Sequence, residues 1–175
     1  MKTPMIFAIF ACSFTTAMAM PSDFSPPDKS FTVNFLGEAI CADKKVKTLT
    51  SVITVRSCSE TDTRSKLTYS VAHFPRALIV AKNNPRLILR AALDISLIDS
   101  SSTLVDVHDT EIGGFPAIES LSKVSASGQQ TAAQYILVNE KIFVAEIAGL
   151  HGRSPQKEVN TFFDSLIINA TPKKK

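Results

Sequence analysis

From Gln134 to Ala148 the chain reads QYILV, then NE, then KIFVAEIA, and ten of these 15 positions are apolar. Two apolar runs separated by Asn139 and Glu140 predict a hairpin of strands 134–138 and 141–148. Successive side chains of a strand point to opposite sides of its sheet, so a run that is apolar at both parities leaves no face for water. This hairpin therefore predicts the middle of a sheet that is covered on both sides.

Two segments supply the cover. Asn84 followed by Pro85 is an N-cap with proline at the first helical position, and PRLILRAALDISLID continues a helix to about Asp99. Arg86, Arg90 and Asp94, at i, i+4 and i+8, form one polar stripe, and the rest of the surface is almost wholly apolar. That is too wide for one sheet contact, so the helix is expected to bury itself against both the sheet and a short helical turn over 76–82. Near the C-terminus Ser154 caps and Pro155 opens a second helix, whose Val159, Phe162, Phe163 and Leu166 fall on one face and dock on the sheet.

The remaining strands are read from alternation and β-branched content. FTVNFL (31–36), TLTSVITVR (48–56) and LTYSVAHF (67–74) make an antiparallel meander the simplest arrangement, with 37–46 as a polar connection and 59–65 as a turn. TLVDVHD (103–109) and the weaker alternation of 117–125 flank IGGFPAIE, where Gly113 and Gly114 supply backbone freedom at a strand junction and Phe115 or Ile118 packs inward. No helix follows this glycine pair to hold a phosphate. The fold class is α+β, an antiparallel sheet flanked by helices on both faces in an α/β/α sandwich.

The N-terminus, MKTPMIFAIFACSFTTAMAM, has one early cation, a short apolar run and the small residues Ala17 and Ala19 ahead of a cut before Met20. That is the order of a secretory signal, and Ser13, Thr15 and Thr16 interrupt it well short of the about 20 apolar residues a spanning helix needs. An alternative cut would acylate Cys12, but its apolar run is short and Phe10 is bulky beside the small Ala11. Residues 1–19 are read as the signal, 20–29 as an extended proline-rich linker, 30–169 as a single domain and 170–175 as a basic tail. The expected location is periplasmic or secreted, with no membrane span in the mature chain. The 19 Lys and Arg include Lys2, so 18 remain against 16 acidic residues, too even a balance to point to nucleic acid.

Cys41 and Cys58 are then the only cysteines of the mature chain. An even pair in an exported protein suggests a disulfide worth about 3 kcal/mol in the chain-entropy model. In a plain hairpin of 31–36 with 47–57, however, the two would stand roughly 30 Å apart at strand rise. The sequence leaves the pair open between a disulfide and two buried thiols, and without a close second pair it lacks the ligand spacing of a metal site.

Read in order, FTVNFL, the strand end YSVAHFP, a helix with AALD, IGGFPAIE, YILVNEKIFVAEIAG and a closing helix with FFDSL resemble the PsbP-like domains. That fold is shared by the photosystem II extrinsic protein, a yeast Ran-binding protein and many bacterial exported proteins. The resemblance spans roughly residues 30–169. It implies an α/β/α sandwich without a common catalytic motif, and a role in binding or assembly; the photosynthetic role is not implied.

Acid–base or metal chemistry would begin at the three histidines. Asp106 and His108 lie two apart on a strand, hence on one face, with Asp109 and Glu111 close by. They are either the start of a metal site or oriented histidine, or a solvated strand edge. His73 shares a face with Tyr69 and Val71 and reads as a partly buried ring. His151 and Arg153, in GLHGRSP, stand before the second helix, where an anion would fit, or form a plain connector. No serine sits in a G-x-S-x-G elbow, and no phosphate-loop, dinucleotide or zinc-protease pattern occurs. The expected function is that of an exported, non-enzymatic binding or accessory protein that recognises a protein or small ligand in a groove between sheet and helix, with no cofactor. The alternatives are a hydrolase or metal-dependent enzyme using the Asp106/His108 face, and a chaperone-like effector-binding domain.

Overall fold

A computed structural model describes residues 22–47, 52–75, 84–139, 141–151 and 156–170. Its strands are β1 (Ser22–Phe24), β2 (Phe31–Phe35), β3 (Ile40–Lys47), β4 (Val52–Thr61), β5 (Thr68–Pro75), β6 (Ser102–Ile112), β7 (Phe115–Val124), β8 (Gln130–Val138), β9 (Lys141–Leu150) and β10 (Ile167–Ile168). The helices are α1 (Pro85–Ser100) and α2 (Gln156–Asp164). Seven strands form one antiparallel sheet in the order β3-β4-β5-β9-β8-β7-β6, and β1, β2 and β10 form a second, small sheet.

The hairpin of β8 and β9 lies inside the large sheet, with β9 fourth of seven. From Ala133 to Val138 and from Ile142 to Ala145 every residue is buried, as expected of strands covered on both sides. The chain passes from β5, a central strand, through α1 to β6 at the far edge, and returns by hairpins through β7 and β8 to pair β9 with β5. This route lays α1 across one face. Ile88, Leu89, Ala92 and Leu93 pack there with Ile118, Tyr135, Ile142 and Phe74.

The opposite face is closed by the small sheet, with α2 beside it. Phe31, Val33 and Phe35 of β2 join Phe143, Ala145 and Ile147 in a second core, and Phe162 of α2 meets the rings of Phe35 at 5.7 Å and Tyr69 at 5.2 Å. The molecule is thus mostly antiparallel sheet with few helical residues. The second face carries the strands of the small sheet beside α2, where helix alone was expected, because the strand at 31–35 does not join the meander. It pairs instead with β1 and β10.

Two further expectations change with it. Within the segment read as a linker, Ser22–Phe24 is a strand that pairs with β2, and Phe24 packs against the second core. The connection expected at 37–46 holds the edge strand β3, paired with β4 along its length. β3 packs inward through Cys41 and Val46 but keeps Ala42 to Lys45 exposed, so it shows no sustained apolar alternation, and Lys44 and Lys45 stand at the open edge. The helical turn expected at 76–82 lies outside the described residues, as do Ser154 and Pro155.

Between β6 and β7 the chain reverses on Gly113 (φ 59°) and Gly114 (φ 79°) alone. Positive φ at both central residues is the requirement of the two-residue turn that matches strand twist, and glycine meets it without steric cost. Phe115 and Ile118 are both buried, on opposite faces of the sheet.

Candidate functional site

The buried residues of α1 all lie between Ile88 and Leu93. Beyond them the helix and sheet enclose a cavity of about 220 Å³ rather than a packed contact. Small side chains cause the gap: Ser57, Ser70, Ala72, Ser122, Thr131 and Ala148 form much of its floor, where larger residues seal the other end of the helix. Ile53, Val55 and Val144 supply apolar floor, and Ile95, Ser96 and Leu97 form the roof.

Three charged side chains line this space. Lys44 of β3 and Asp99 in the last turn of α1 form an ion pair at 3.8 Å. Glu146 of the central strand β9 is registered beside Ser70 of β5 and Ala133 of β8. Among the described residues no ion pair or hydrogen bond reaches the Glu146 carboxylate. Tyr135 is buried in the wall of the cavity and hydrogen-bonds with Ser96 of α1. Burial pushes its phenol pKa up, the bond to Ser96 opposes this, and the negative charge of Glu146 adds to the rise. Tyr135 therefore remains a neutral hydroxyl.

The acidic and histidine residues read together at 106–111 divide between the two faces of β6. Asp109 faces α1, where Arg86 Nε reaches its Oδ2 at 2.9 Å and Arg90 Nη2 its Oδ1 at 3.2 Å. The polar stripe of the helix thus anchors the edge strand. His108 faces the other way, opposite Glu119 of β7, and its Nε2 lies 2.8 Å from Glu119 Oε2. Gln134 of β8 continues the row and donates from Nε2 to Glu119 Oε1 at 2.8 Å. Its own Oε1 is buried without a hydrogen-bond partner among the described residues. Asp106 is not the partner of His108: it stands opposite Leu121 after a register shift, its Oδ1 accepts from the Val107 N–H, and it is exposed. The side chain of His108 is itself 60% exposed.

His73 lies against the ring of Phe143 at 5.4 Å, with Asp28 Oδ2 3.9 Å from its Nε2. Burial lowers its pKa, Lys141 and Arg56 add to this, and Asp28 opposes it. His151 Nε2 stands 3.3 Å from Gln129 Nε2, and Arg153 lies outside the described residues. Cys41 and Cys58 face each other directly across β3 and β4, bonded at 2.09 Å. The wide separation expected for them fails for one reason: the strand opposite Cys58 begins at Ile40, not at Phe31.

Among the described residues no group of three or more His, Cys, Asp or Glu side chains is placed to hold a metal, and no helix is long and apolar enough to cross a membrane. Sequence reading did not pick out Glu146. The signal was present, as a single charge inside a strand apolar at both parities, KIFVAEIA.

No family model and no curated protein matches the chain. Among solved structures it is similar to cyanobacterial PsbP (CyanoP) from Synechocystis sp. PCC 6803, with a TM-score of 0.54 and 13% identity over 88% of this chain and 95% of that one. A protein of unknown function from Pseudomonas aeruginosa aligns with a TM-score of 0.43 and 7% identity over 76% of this chain and 99% of that one. Identity at this level speaks for architecture and not for activity. With its central antiparallel sheet, its crossing helix and the likeness to the cyanobacterial protein, the chain has a PsbP-like fold.

Proposed function

We propose that this protein is an exported accessory protein that works by binding a ligand, without turnover, in the cavity between α1 and the large sheet. The observation that carries the reading is the cavity itself, about 220 Å³ inside an otherwise packed interface, whose lining mixes apolar side chains with hydroxyls, the carboxylates of Asp99 and Glu146, and Lys44. That mixture is the usual make-up of a small-molecule site, where apolar surface gives affinity and a few polar groups give orientation. The signal-like order of residues 1–19 supports export. The PsbP-like fold, shared with cyanobacterial PsbP, is consistent with an accessory role. Chemistry at His108 is disfavoured by its exposure and by its partner, Glu119, standing on an open strand face.

The test is a titration of the folded protein with the neutral fluorophore N-phenyl-1-naphthylamine. The expected result is a saturable fluorescence rise at one probe per chain, lost in Ala148→Phe, which fills the cavity and keeps the wild-type circular dichroism spectrum. No saturable rise, or an unchanged rise in the filled variant, would sink the reading.

A further inference from the structure

We infer that the cavity selects a small organic cation, an amine or guanidinium joined to an apolar body, through the carboxylate of Glu146. This rests on the cavity being the ligand site and adds the class of ligand. Glu146 projects from β9, the middle strand of seven, on the face that α1 covers. Glu146 is half-buried there, and a carboxylate drawn partly out of water gains from a cation or hydrogen-bond donors that meet it. Its registered neighbours are Ser70 and Ala133, and among the described residues it has no ionic partner.

Charge complementarity decides the sign of the ligand. Lys44 is the only cation lining the cavity among the described residues, and it is engaged by Asp99 at 3.8 Å. The lining therefore carries one negative charge beyond its internal pair. A protonated amine has three donors. Glu146 accepts from one, and the hydroxyl oxygens of Ser70 and Thr131, which line the same floor, accept from others. The apolar body then lies along Ile53, Val55 and Val144, under Ile95 and Leu97. Among the described residues no free cation would offset the carboxylate for an anion in this position.

The experiment uses three probes of one shape, 4-phenylbutylamine, 4-phenylbutanol and 4-phenylbutyrate, each displacing N-phenyl-1-naphthylamine from the whole folded protein at pH 7. The expected order is amine, then alcohol, then carboxylate, with the amine favoured over the alcohol by about tenfold, the scale of one partly screened ionic contact. In Glu146→Gln the amine-to-alcohol ratio falls to about one. Because the ratio is taken within one variant, a general loss of affinity cancels. A carboxylate that binds as well as the amine in the wild type overturns the inference without reference to any variant, and so does a preference for amine that survives in Glu146→Gln. Failure of the fluorophore to bind the wild type overturns the cavity reading and this inference together, whereas fluorophore binding without amine preference overturns this inference alone.

Discussion

Gly149, near the end of β9, has φ 93°, and a Cβ placed on it would come within 2.8 Å of the backbone oxygen of Lys66. Backbone cannot swing aside as a flexible side chain can, and an L-residue at this φ is strained in any space. Gly149→Ala is expected to cost about 1–3 kcal/mol. Urea unfolding measures this, and a midpoint equal to the wild type's would contradict the close approach. The same scale explains Glu146. One carboxylate among alanines and valines was visible in the sequence, but whether it met a cation depended on Lys44, which tertiary packing assigns to Asp99. His108 likewise took its partner from across the sheet, Glu119, and not from Asp106 two residues away.

Elements were legible to the degree that burial marks them. α1 shows its N-cap in the sequence, and Asn84 Oδ1 does accept from the Arg86 and Leu87 N–H groups. β8 and β9 were legible because both faces are buried. β3 was not, since an edge strand with exposed Ala42 to Lys45 has no apolar parity to read. Its place matters for stability through the disulfide, which closes a loop between residues 17 apart in sequence. Replacing both cysteines, as Cys41→Ser with Cys58→Ser, is expected to lower stability by about 2–4 kcal/mol, as is reduction of the native chain. Thermal unfolding with and without reductant checks this. A reductant-insensitive wild type would show that the bond does not tie the edge strand to the sheet.

At the scale of the molecule, two cores meet at one large sheet, and the layers are joined by contacts that respond to pH. His73 stands between the large sheet and the loop carrying Asp28, with its pKa held below the ordinary imidazole value, chiefly by burial. Below about pH 6.5 the unfolded chain therefore binds more protons at this site than the folded chain, so this contribution to stability is present above that value and is lost as pH falls. The melting temperature is expected to drop further between pH 7 and 5 in the wild type than in His73→Gln. Glu60, whose pKa is raised chiefly by burial, acts with the opposite sign, but it is common to both proteins and cancels in the comparison. Equal drops would remove His73 from the account. By itself the sequence determined the two-sided central hairpin, the crossing helix and the glycine turn, because side-chain parity, helical period and positive φ are properties of neighbouring residues. Only the tertiary structure decided that β2 leaves the large sheet, that β9 pairs with β5, that Cys41 faces Cys58 and that a cavity opens beneath the end of α1. Those outcomes depend on which distant segments meet and on how well their side chains fill the space between them, and no local pattern records either.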